Sequence, residues 1–262
     1  MRPVALLTDF GLADHYVGVL HAVLEREAPG VRRIDLGHQV PPGDLWAGCF
    51  LLRCAWPSLP GDAVALAVVD PGVGGDRRPV AVRIGGRWLV APDNGLAAAA
   101  GAGDAAIELD WRRMGLPAPS ATFHGRDLFA PAAARLALGN VPGTLGERVS
   151  PAGLEPCPIP EPAAGARGFH ATIVHCDRFG NLITNLPAAA APPGAVAWYG
   201  APRPARRVRS YGEAAPGEVV LLEGSSGLLE LAADRESAAA LTGLRRGDAV
   251  DVTAGESVKI AD

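Results

Sequence analysis

Short apolar runs alternate with stretches of helical period through the first half of the chain. The strands are predicted at residues 4–8, 31–36 and 65–69. Between the first two, apolar residues recur at helical spacing after Asp14, which is placed to cap a helix. A second helix is expected from Asp44 to about Trp56, where Pro57 ends it. This alternation predicts an α/β domain.

Two apolar segments further along the chain predict a hairpin. Residues 80–84 and 87–90 are joined by Gly85 and Gly86, a pair suited to a tight turn. A hairpin makes neighbouring strands antiparallel, so the sheet should be mixed rather than wholly parallel. A last helix of this half is expected over residues 126–138.

The chain changes character after residue 150. Residues 151–168 are rich in proline and small residues and show no periodic apolar pattern, which is typical of a linker. Beyond them, short apolar runs alternate with Gly and Pro turns, which predicts a small β-rich domain. Its strands are expected at residues 171–174, 195–199, 218–222 and 249–252. The sequence thus predicts an α/β domain over 1–150, a linker over 151–168 and a β domain over 169–262.

Composition and charge exclude several classes of partner. The chain has 262 residues, of which 48% are hydrophobic, and a net charge of −4 without a basic stripe that carries aromatic residues. Nucleic acid and membrane surfaces are therefore not expected as partners. The apolar stretch at residues 4–7 is too short for a signal sequence or a membrane span, so we expect a cytoplasmic protein.

The positions of cysteine and histidine predict no metal site. The cysteines, which show neither a CxxC pair nor zinc spacing and are expected to be reduced, are Cys49, Cys54, Cys157 and Cys176. His124 and Asp127 supply no recognisable ligand set. His15, His21 and His38 have no acid and arginine pair close by in the sequence and are interpreted as structural.

An acid and an arginine surround three glycines in the segment DPGVGGDR, which runs from Asp70 to Arg77 and follows an apolar run. Its glycines would let the backbone approach a ligand closely while Arg77 reaches back. The alternative is a glycine turn with a surface Asp and Arg. The segment is not a dinucleotide fingerprint, and the chain contains no phosphate-binding GK[ST] loop.

Two further residues are candidates for the same site. Asp9 ends the first strand in LLTDFG, where open α/β sheets bind ligands, and its carboxylate can accept two ribose hydroxyls. The alternative is that Asp9 only caps a turn before Gly11. His124, in FHGRD, stands just before a helix start, a favourable place for a functional imidazole. Asp70, Arg77 and His124 can therefore converge.

The second half contains two weaker motifs. In DRFGN, the ring of Phe179 and the amide of Asn181 suit a purine, and the alternative is a β-turn that closes a hairpin. In EGSSGLLELA, Ser225 and Ser226 present hydroxyls on a glycine turn that can hold a carboxylate, and Glu230 follows in an apolar strand.

Six motifs occur together and in order along nearly the whole chain. They are TDFG at Thr8, DPGVGGDR at Asp70, APDNGL at Ala91, TFHGRD at Thr122, DRFGN at Asp177 and SSGLLELA at Ser225. With them the chain resembles the S-adenosylmethionine (SAM) hydroxide adenosyltransferases, relatives of the fluorinase and chlorinase. The resemblance implies an α/β domain and a smaller barrel-like β domain. It also implies a homotrimer, with each site between the first domain of one subunit and the second domain of its neighbour.

The resemblance further implies a reaction and a set of roles. SAM would be the substrate rather than a cofactor, and water would cleave it to adenosine and methionine without a metal. Asp70, Arg77 and His124 would position the water. The implied substrate contacts are Asp9 at the ribose, Phe179 and Asn181 at adenine, Asp177 with Ser225 and Ser226 at the methionine end, and Asn94 and Glu230 at the site.

Two alternatives remain open at the sequence level. A halide adenosyltransferase would use chloride or fluoride, but the halide-using relatives lack the ionisable set, and the short turn at Gly85 leaves no room for the insertion that marks the fluorinase branch. A non-catalytic SAM or nucleoside binder is the other alternative, because water is a weak nucleophile and Asp234 stands where relatives often have Asn.

Overall fold

In the computed structural model, which describes residues 1–201 and 204–255, the chain divides into two units, Met1–Pro158 and Ile159–Asp262. The division lies inside the Pro-rich segment 151–168. The beginning of that segment, up to Glu155, packs on the first unit, since Glu155 N donates to Asp93 Oδ1 at 2.8 Å. Residues 202–203 and 256–262 of the predicted β domain lie outside the described residues.

The first unit contains a seven-stranded mixed sheet in the order β2-β1-β3-β5-β4-β6-β7. Its strands are β1 (Val4–Thr8), β2 (Arg33–Gly37), β3 (Val64–Val68), β4 (Pro79–Ile84), β5 (Arg87–Pro92), β6 (Ala105–Leu109) and β7 (Gly146–Val149). Strands β1, β2, β3 and β5 pair in parallel, whereas β4 is antiparallel to both β5 and β6. The predicted mixed sheet and hairpin are confirmed. The left-handed Gly85 and Gly86, at φ 55° and 87°, form its turn.

Helices pack against this sheet because its central strands β1 and β3 are mostly apolar and are buried along their whole length. They are α1 (Tyr16–Glu27), α2 (Leu45–Ala55), α3 (Leu96–Ala100) and α4 (Ala130–Ala137). Leu20 of α1 and Leu136 of α4 share one core with Leu6 and Leu66 of the sheet. Helix α2 packs against α3, where Gly48 permits the close approach of Val69 and Leu96.

Two predictions about helix starts have different outcomes. The predicted start of a helix at Asp44 is confirmed: α2 begins at Leu45, and Asp44 Oδ1 accepts a hydrogen bond from Ala47 N at 3.1 Å. The predicted cap at Asp14 is wrong. Helix α1 begins at Tyr16 after His15, which is itself in a helical conformation and makes no side-chain cap.

The helix predicted over residues 126–138 has a different first turn. Residues Gly125–Phe129 form a wide π-turn, and α4 follows it directly. Asp127 binds back to the preceding loop, where its Oδ2 accepts from Ser120 N at 2.9 Å and Ser120 Oγ at 2.7 Å. Gly125 lies against the rings of Phe10 and Phe123, where a side chain would be tight. These contacts set the position of His124 at the start of the turn.

The second unit is built around an antiparallel sheet. Its described strands are β8 (Ala163–Gly165), β9 (Gly168–Cys176), β10 (Leu182–Pro187), β11 (Ala195–Trp198), β12 (Ala205–Arg206), β13 (Val220–Glu223), β14 (Leu228–Ala232) and β15 (Ala249–Ala254). They follow the order β12-β11-β15-β9-β10-β14-β13, with β8 on β9. The two ends of this order meet, because Val208 N donates to Leu221 O at 2.9 Å. The sheet is therefore nearly closed and barrel-like, and the unit also contains a short helix, α5 (Ala238–Thr242).

Each unit has its own hydrophobic core. In the second unit, Ile173, Leu182, Leu229 and Leu231 fill the inside of the curved sheet. Within residues 1–201 and 204–255, no helix is long and apolar enough to cross a membrane.

Candidate active site

Asp9 and Asp70 follow the ends of two neighbouring parallel strands. Strands β1 and β3 pair in parallel with Thr8 opposite Val68, so the residues that follow the two strands lie at the same edge of the sheet. This carboxyl edge is where open α/β sheets bind ligands. A cavity of about 520 Å³ lies there, lined by Asp9 and Asp70 together with His124. The structure thus brings these three residues together at one edge of the sheet.

Arg77 links Asp70 to His124. Its Nε donates to Asp70 Oδ1 at 3.0 Å, and its Nη2 donates to Asp70 Oδ2 at 2.5 Å. The same Nη2 lies 2.8 Å from His124 Nδ1. Both members of the ion pair are largely buried, with the Arg77 side chain 11% and the Asp70 side chain 5% exposed. The Arg77 guanidinium also lies 5.3 Å from the centre of the Phe129 ring, a favourable cation–π distance.

The contact with Arg77 fixes the protonation state of His124. A guanidinium has only donors, so His124 Nδ1 must be the acceptor and the ring hydrogen must lie on Nε2. Burial, followed by the positive charge of Arg77, lowers the pKa of His124 below its ordinary value of 6.5. The imidazole is therefore neutral at pH 7, with its Nε2–H left to donate to another group.

Asp9 lies on the other side of the same cavity. Its Oδ2 accepts a hydrogen bond from Gly43 N at 2.8 Å. Burial raises the pKa of Asp9, and the nearby charge of Asp70 acts in the same direction, while backbone hydrogen bonds oppose it. Since Oδ2 is held by Gly43, Oδ1 is the oxygen better placed to accept from a ligand.

The glycines of the 70–77 loop serve its packing. Gly74, with φ of 77°, lies so close to the carbonyl of Ala121 that any side chain there would overlap it. This contact brings the Asp70 loop against the loop that leads to His124. The convergence of Asp70, Arg77 and His124 thus depends on a glycine as well as on the ion pair.

Three aromatic rings complete this cavity, and sequence reasoning did not identify them as site residues. Phe123 makes edge contacts with Phe10 and Tyr16, at centroid distances of 5.6 and 5.3 Å. His15, interpreted from the sequence as structural, stacks on Tyr16 and also lines the cavity. Phe10 is adjacent in sequence to Asp9, and Phe123 is adjacent to His124. This adjacency was the sequence signal that could have identified the two rings as site residues.

Asn94 lies behind the Asp70 loop. It follows β5, and its Nδ2 donates to the carbonyl of Val69 at 2.9 Å. It does not line either cavity described here. Its side chain therefore braces the residue that precedes Asp70.

The DRFGN segment forms the turn between β9 and β10. Asp177 Oδ1 accepts from the backbone N–H groups of Phe179 and Asn181, each at 2.9 Å, and Oδ2 accepts from Asn181 Nδ2 at 3.0 Å. The hairpin turn considered as the alternative is thus present. The turn leaves the Phe179 ring 75% exposed beside a cavity of about 610 Å³, which Asp177 and Asn181 also line.

Glu230 lies at the base of this second cavity, on β14. Its Oε1 accepts a hydrogen bond from Tyr211 Oη at 2.6 Å. Burial raises the pKa of Glu230, although the bond from Tyr211 opposes the shift. Burial and the same hydrogen bond raise the pKa of Tyr211 to about 12. Tyr211 was not identified from the sequence, where no motif surrounds it.

Part of the turn that carries Ser225 and Ser226 lines the same cavity. Ser225 lines it, as do Asp234 and the residues that follow to Ser237, whereas Ser226 is exposed in the turn outside the lining. Gly224 packs against the carboxylate of Glu230, so the turn lies directly over that side chain. Most of the predicted site residues thus line one of two cavities. Asp9, Asp70 and His124 line the cavity of the first unit, and the cavity of the second unit is lined by Asp177, Phe179, Asn181, Ser225 and Glu230.

Comparison with known proteins agrees with these motifs. Residues 4–146 match the SAM hydroxide adenosyltransferase N-terminal domain, and residues 171–251 match the SAM hydroxide adenosyltransferase C-terminal domain. The (R)-S-adenosyl-L-methionine hydrolase of Salinispora tropica is 44% identical over 259 residues, which cover 96% of this chain and 98% of that protein.

Two further likenesses extend the comparison. An uncharacterized conserved protein from Thermotoga maritima has a crystal structure with a TM-score of 0.87 and 29% identity, covering 95% of this chain and 99% of that one. A fluorinase of Actinoplanes sp. is 25% identical over 211 residues, 70% of this chain and 71% of its own. The resemblance inferred from the six motifs is confirmed, and the chain belongs to the SAM hydroxide adenosyltransferase family.

Proposed function

We propose that this protein hydrolyses S-adenosyl-L-methionine to adenosine and L-methionine by attack of water at the ribose C5′ carbon. The observation that carries the proposal is the contact of Arg77 with both Asp70 and His124 at the cavity of the first unit. Support also comes from the name and 44% identity of the Salinispora tropica relative. The family alone would allow other nucleophiles, but a buried carboxylate suits water and repels a halide ion.

The proposed reaction needs a base more than an acid. The C5′–S bond breaks with its electron pair moving to sulfur, so a cationic sulfonium becomes a neutral thioether and requires no proton. Water forms the new C5′–O bond and loses a proton as it does so. We assign that proton to Asp70 Oδ1, which accepts one bond from Arg77 and keeps a lone pair. The proton then passes to solvent.

Arg77 and His124 have supporting roles in this proposal. Arg77 donates to both oxygens of the Asp70 carboxylate and so holds it in a fixed orientation toward the water. His124 accepts from Arg77 through Nδ1, so its Nε2–H can donate to the attacking water and aim it at C5′. No metal or organic cofactor enters the proposal, because the substrate carries its own leaving group.

The remaining predicted contacts complete the substrate site in the proposal. Asp9 would accept the ribose hydroxyls through Oδ1. Phe179 and Asn181 would contact adenine, and Glu230 would line the site. The methionine end would be held by Asp177 with Ser225 and Ser226. A homotrimer that joins the first-unit cavity of one subunit to the second-unit cavity of a neighbour is part of the proposal. It is supported by the division of these residues between two cavities. Light scattering tests the trimer.

A cytoplasmic location is also proposed. The four cysteines form no disulfide, which suits a reducing compartment.

Separated products test the proposed function. The protein is incubated with each sulfonium epimer of SAM, and the products are resolved by chromatography. We expect adenosine and methionine in equal amounts, with the (R) epimer consumed preferentially, as the name of the Salinispora tropica relative suggests. Added chloride or fluoride should yield no 5′-halogenated nucleoside. A halogenated product would favour the halide alternative, and binding without any product would favour the non-catalytic one.

Removing the exposed ring of the second cavity should weaken binding of the adenine group. The Phe179→Ala variant is expected to bind adenosine about ten- to a hundredfold more weakly, because a base stacked on an aromatic ring gains ~1–3 kcal/mol. Its stability should be unchanged, since the ring is 75% exposed. Calorimetric titration with adenosine measures the effect. The Trp198→Ala variant serves as the control, because Trp198 is also an exposed aromatic residue but does not line the cavity.

Turnover should fall at acidic pH with the protonation of His124. Because burial and Arg77 lower the pKa of His124, its neutral form persists to below pH 6.5. Protonation then places a hydrogen on Nδ1 that opposes the Arg77 donor. We therefore expect kcat/KM to be constant above this pKa and to decrease below it. In His124→Gln, whose side-chain oxygen can still accept from Arg77, this acidic limb should disappear. An unchanged pH profile in that variant would show that protonation of His124 does not cause the decrease in kcat/KM.

A further inference from the structure

Three side chains with metal-binding atoms converge beside the active-site edge of the first unit. His21 lies on α1, Asp35 lies on β2, and His38 follows that strand. Asp35 Oδ1 lies 2.9 Å from His21 Nε2 and 3.2 Å from His38 Nε2. The three ligand atoms all lie within 4.8 Å of one another. The two histidines share no sequence motif, so the sequence alone predicts no common role for them.

The unused nitrogen of His38 is the observation that points to a ligand. His38 is 95% buried, given its exposure of 5%. Its Nε2 lies 3.2 Å from Asp35 Oδ1 but forms no hydrogen bond of good geometry among the described residues. A buried polar nitrogen without a partner is costly, and a metal ion would use its lone pair.

The other nitrogen of His38 has the partner that a metal-bound histidine needs. Thr8 Oγ1 lies 2.8 Å from His38 Nδ1, and it also accepts from Phe10 N at 3.3 Å. If Nδ1–H donates to Thr8, Nε2 presents its lone pair toward Asp35 and His21. Such an outer hydrogen bond orients metal-ligating histidines in general.

We propose that His21, Asp35 and His38 bind one divalent transition-metal ion of the zinc type. Zinc bonds of ~2.0–2.1 Å in a tetrahedral arrangement separate ligand atoms by about 3.4 Å, close to the separations of both histidines from Asp35. Two imidazoles and one carboxylate favour zinc over magnesium or calcium, which prefer oxygen ligands. His21 and Asp35 are 30% and 45% exposed, so water can take the fourth position.

The site is connected to the candidate active site through its backbone. Gly11 N donates to His38 O at 2.6 Å, and Thr8 directly precedes Asp9. An ion that fixes His38 would thus hold both ends of the Asp9 segment, at Thr8 and Gly11. The role we assign to the metal is positional, and the proposed hydrolysis does not pass through it.

Titration of metal-free, full-length protein with ZnCl2 tests the site. We expect saturable binding of one ion per chain, and Co²⁺ in its place should give the strong visible absorption of a tetrahedral site. His21→Ala, at a partly exposed position that should tolerate the change, is expected to weaken zinc binding more than about 100-fold. Thr8→Val should weaken it about 10–100-fold by removing the outer hydrogen bond.

The exposed pair of His170 and Asp251 provides the matched control. His170 Nδ1 lies 2.5 Å from Asp251 Oδ1 on the surface of the second unit. His170→Ala should leave zinc affinity unchanged, and circular dichroism confirms folding of each variant. The proposal is overturned if the wild-type protein takes up no zinc at a one-to-one ratio. It is equally overturned if His21→Ala binds zinc as tightly as the wild type does.

Discussion

Replacement of Asp70 with Asn should lower kcat by about 10²–10⁴-fold while KM changes little. Asn keeps the size of the side chain but cannot take a proton from water. Because Asp70 is assigned to the nucleophile, its loss should affect the chemical step and leave most substrate contacts in place. Steady-state kinetics with SAM, together with calorimetric binding of adenosine, measure the two quantities separately.

Asp76 offers a matched control for this experiment. It lies in the same loop as Asp70 but is exposed to solvent. Asp76→Asn should retain wild-type kcat. If Asp70→Asn retained it as well, Asp70 would not be the proton acceptor, and the proposed role of this loop would be wrong.

Replacement of Arg77 with Met should reduce both turnover and stability. The change leaves the Asp70 carboxylate, only 5% exposed, without its partner. Breaking a buried pair in this way costs about 3–5 kcal/mol, because the remaining charge stays desolvated. Turnover should fall about 10²–10³-fold, because the Asp70 carboxylate loses the partner that orients it toward the attacking water. Urea unfolding and steady-state kinetics provide the two measurements.

Two companion variants separate the stability effect from the catalytic effect. The double variant Asp70→Asn/Arg77→Met should regain most of the lost stability, since no charge remains buried, but no activity. Arg78→Met breaks the adjacent pair with Asp93, whose side chain is 3% exposed. It should therefore destabilise the protein while leaving kcat near the wild-type value. A loss of kcat in Arg78→Met equal to that in Arg77→Met would attribute the effect to general destabilisation.

Local patterns in the sequence predicted much of the fold. The strand Val4–Thr8, the hairpin at Gly85 and the start of α2 near Asp44 depend on neighbouring residues alone, so they can be inferred from apolar runs and turn chemistry. The π-turn before α4 could not be inferred. It depends on Asp127 binding Ser120 and on the packing of Gly125 against two rings, contacts that the helical pattern does not encode.

In the candidate site, too, some features could be predicted from local sequence and others depend on tertiary packing. The sequence could place Asp9 and Asp70 together, because each residue follows the carboxyl end of a strand in an α/β sheet. The contact between Arg77 and His124 spans 47 residues of sequence and depends on how two loops pack, so the residues alone only allowed convergence. Tyr211 and the three-residue cluster at His38 meet their partners only in the folded chain, and no local motif marks them.

The most direct test follows the oxygen atom of the attacking water. The protein is allowed to hydrolyse SAM in water enriched in ¹⁸O, and both products are analysed by mass spectrometry. Attack at C5′ predicts one ¹⁸O atom on the 5′ carbon of adenosine and none in methionine. Adenosine without the label, or label carried by the methionine-derived product, would contradict the account.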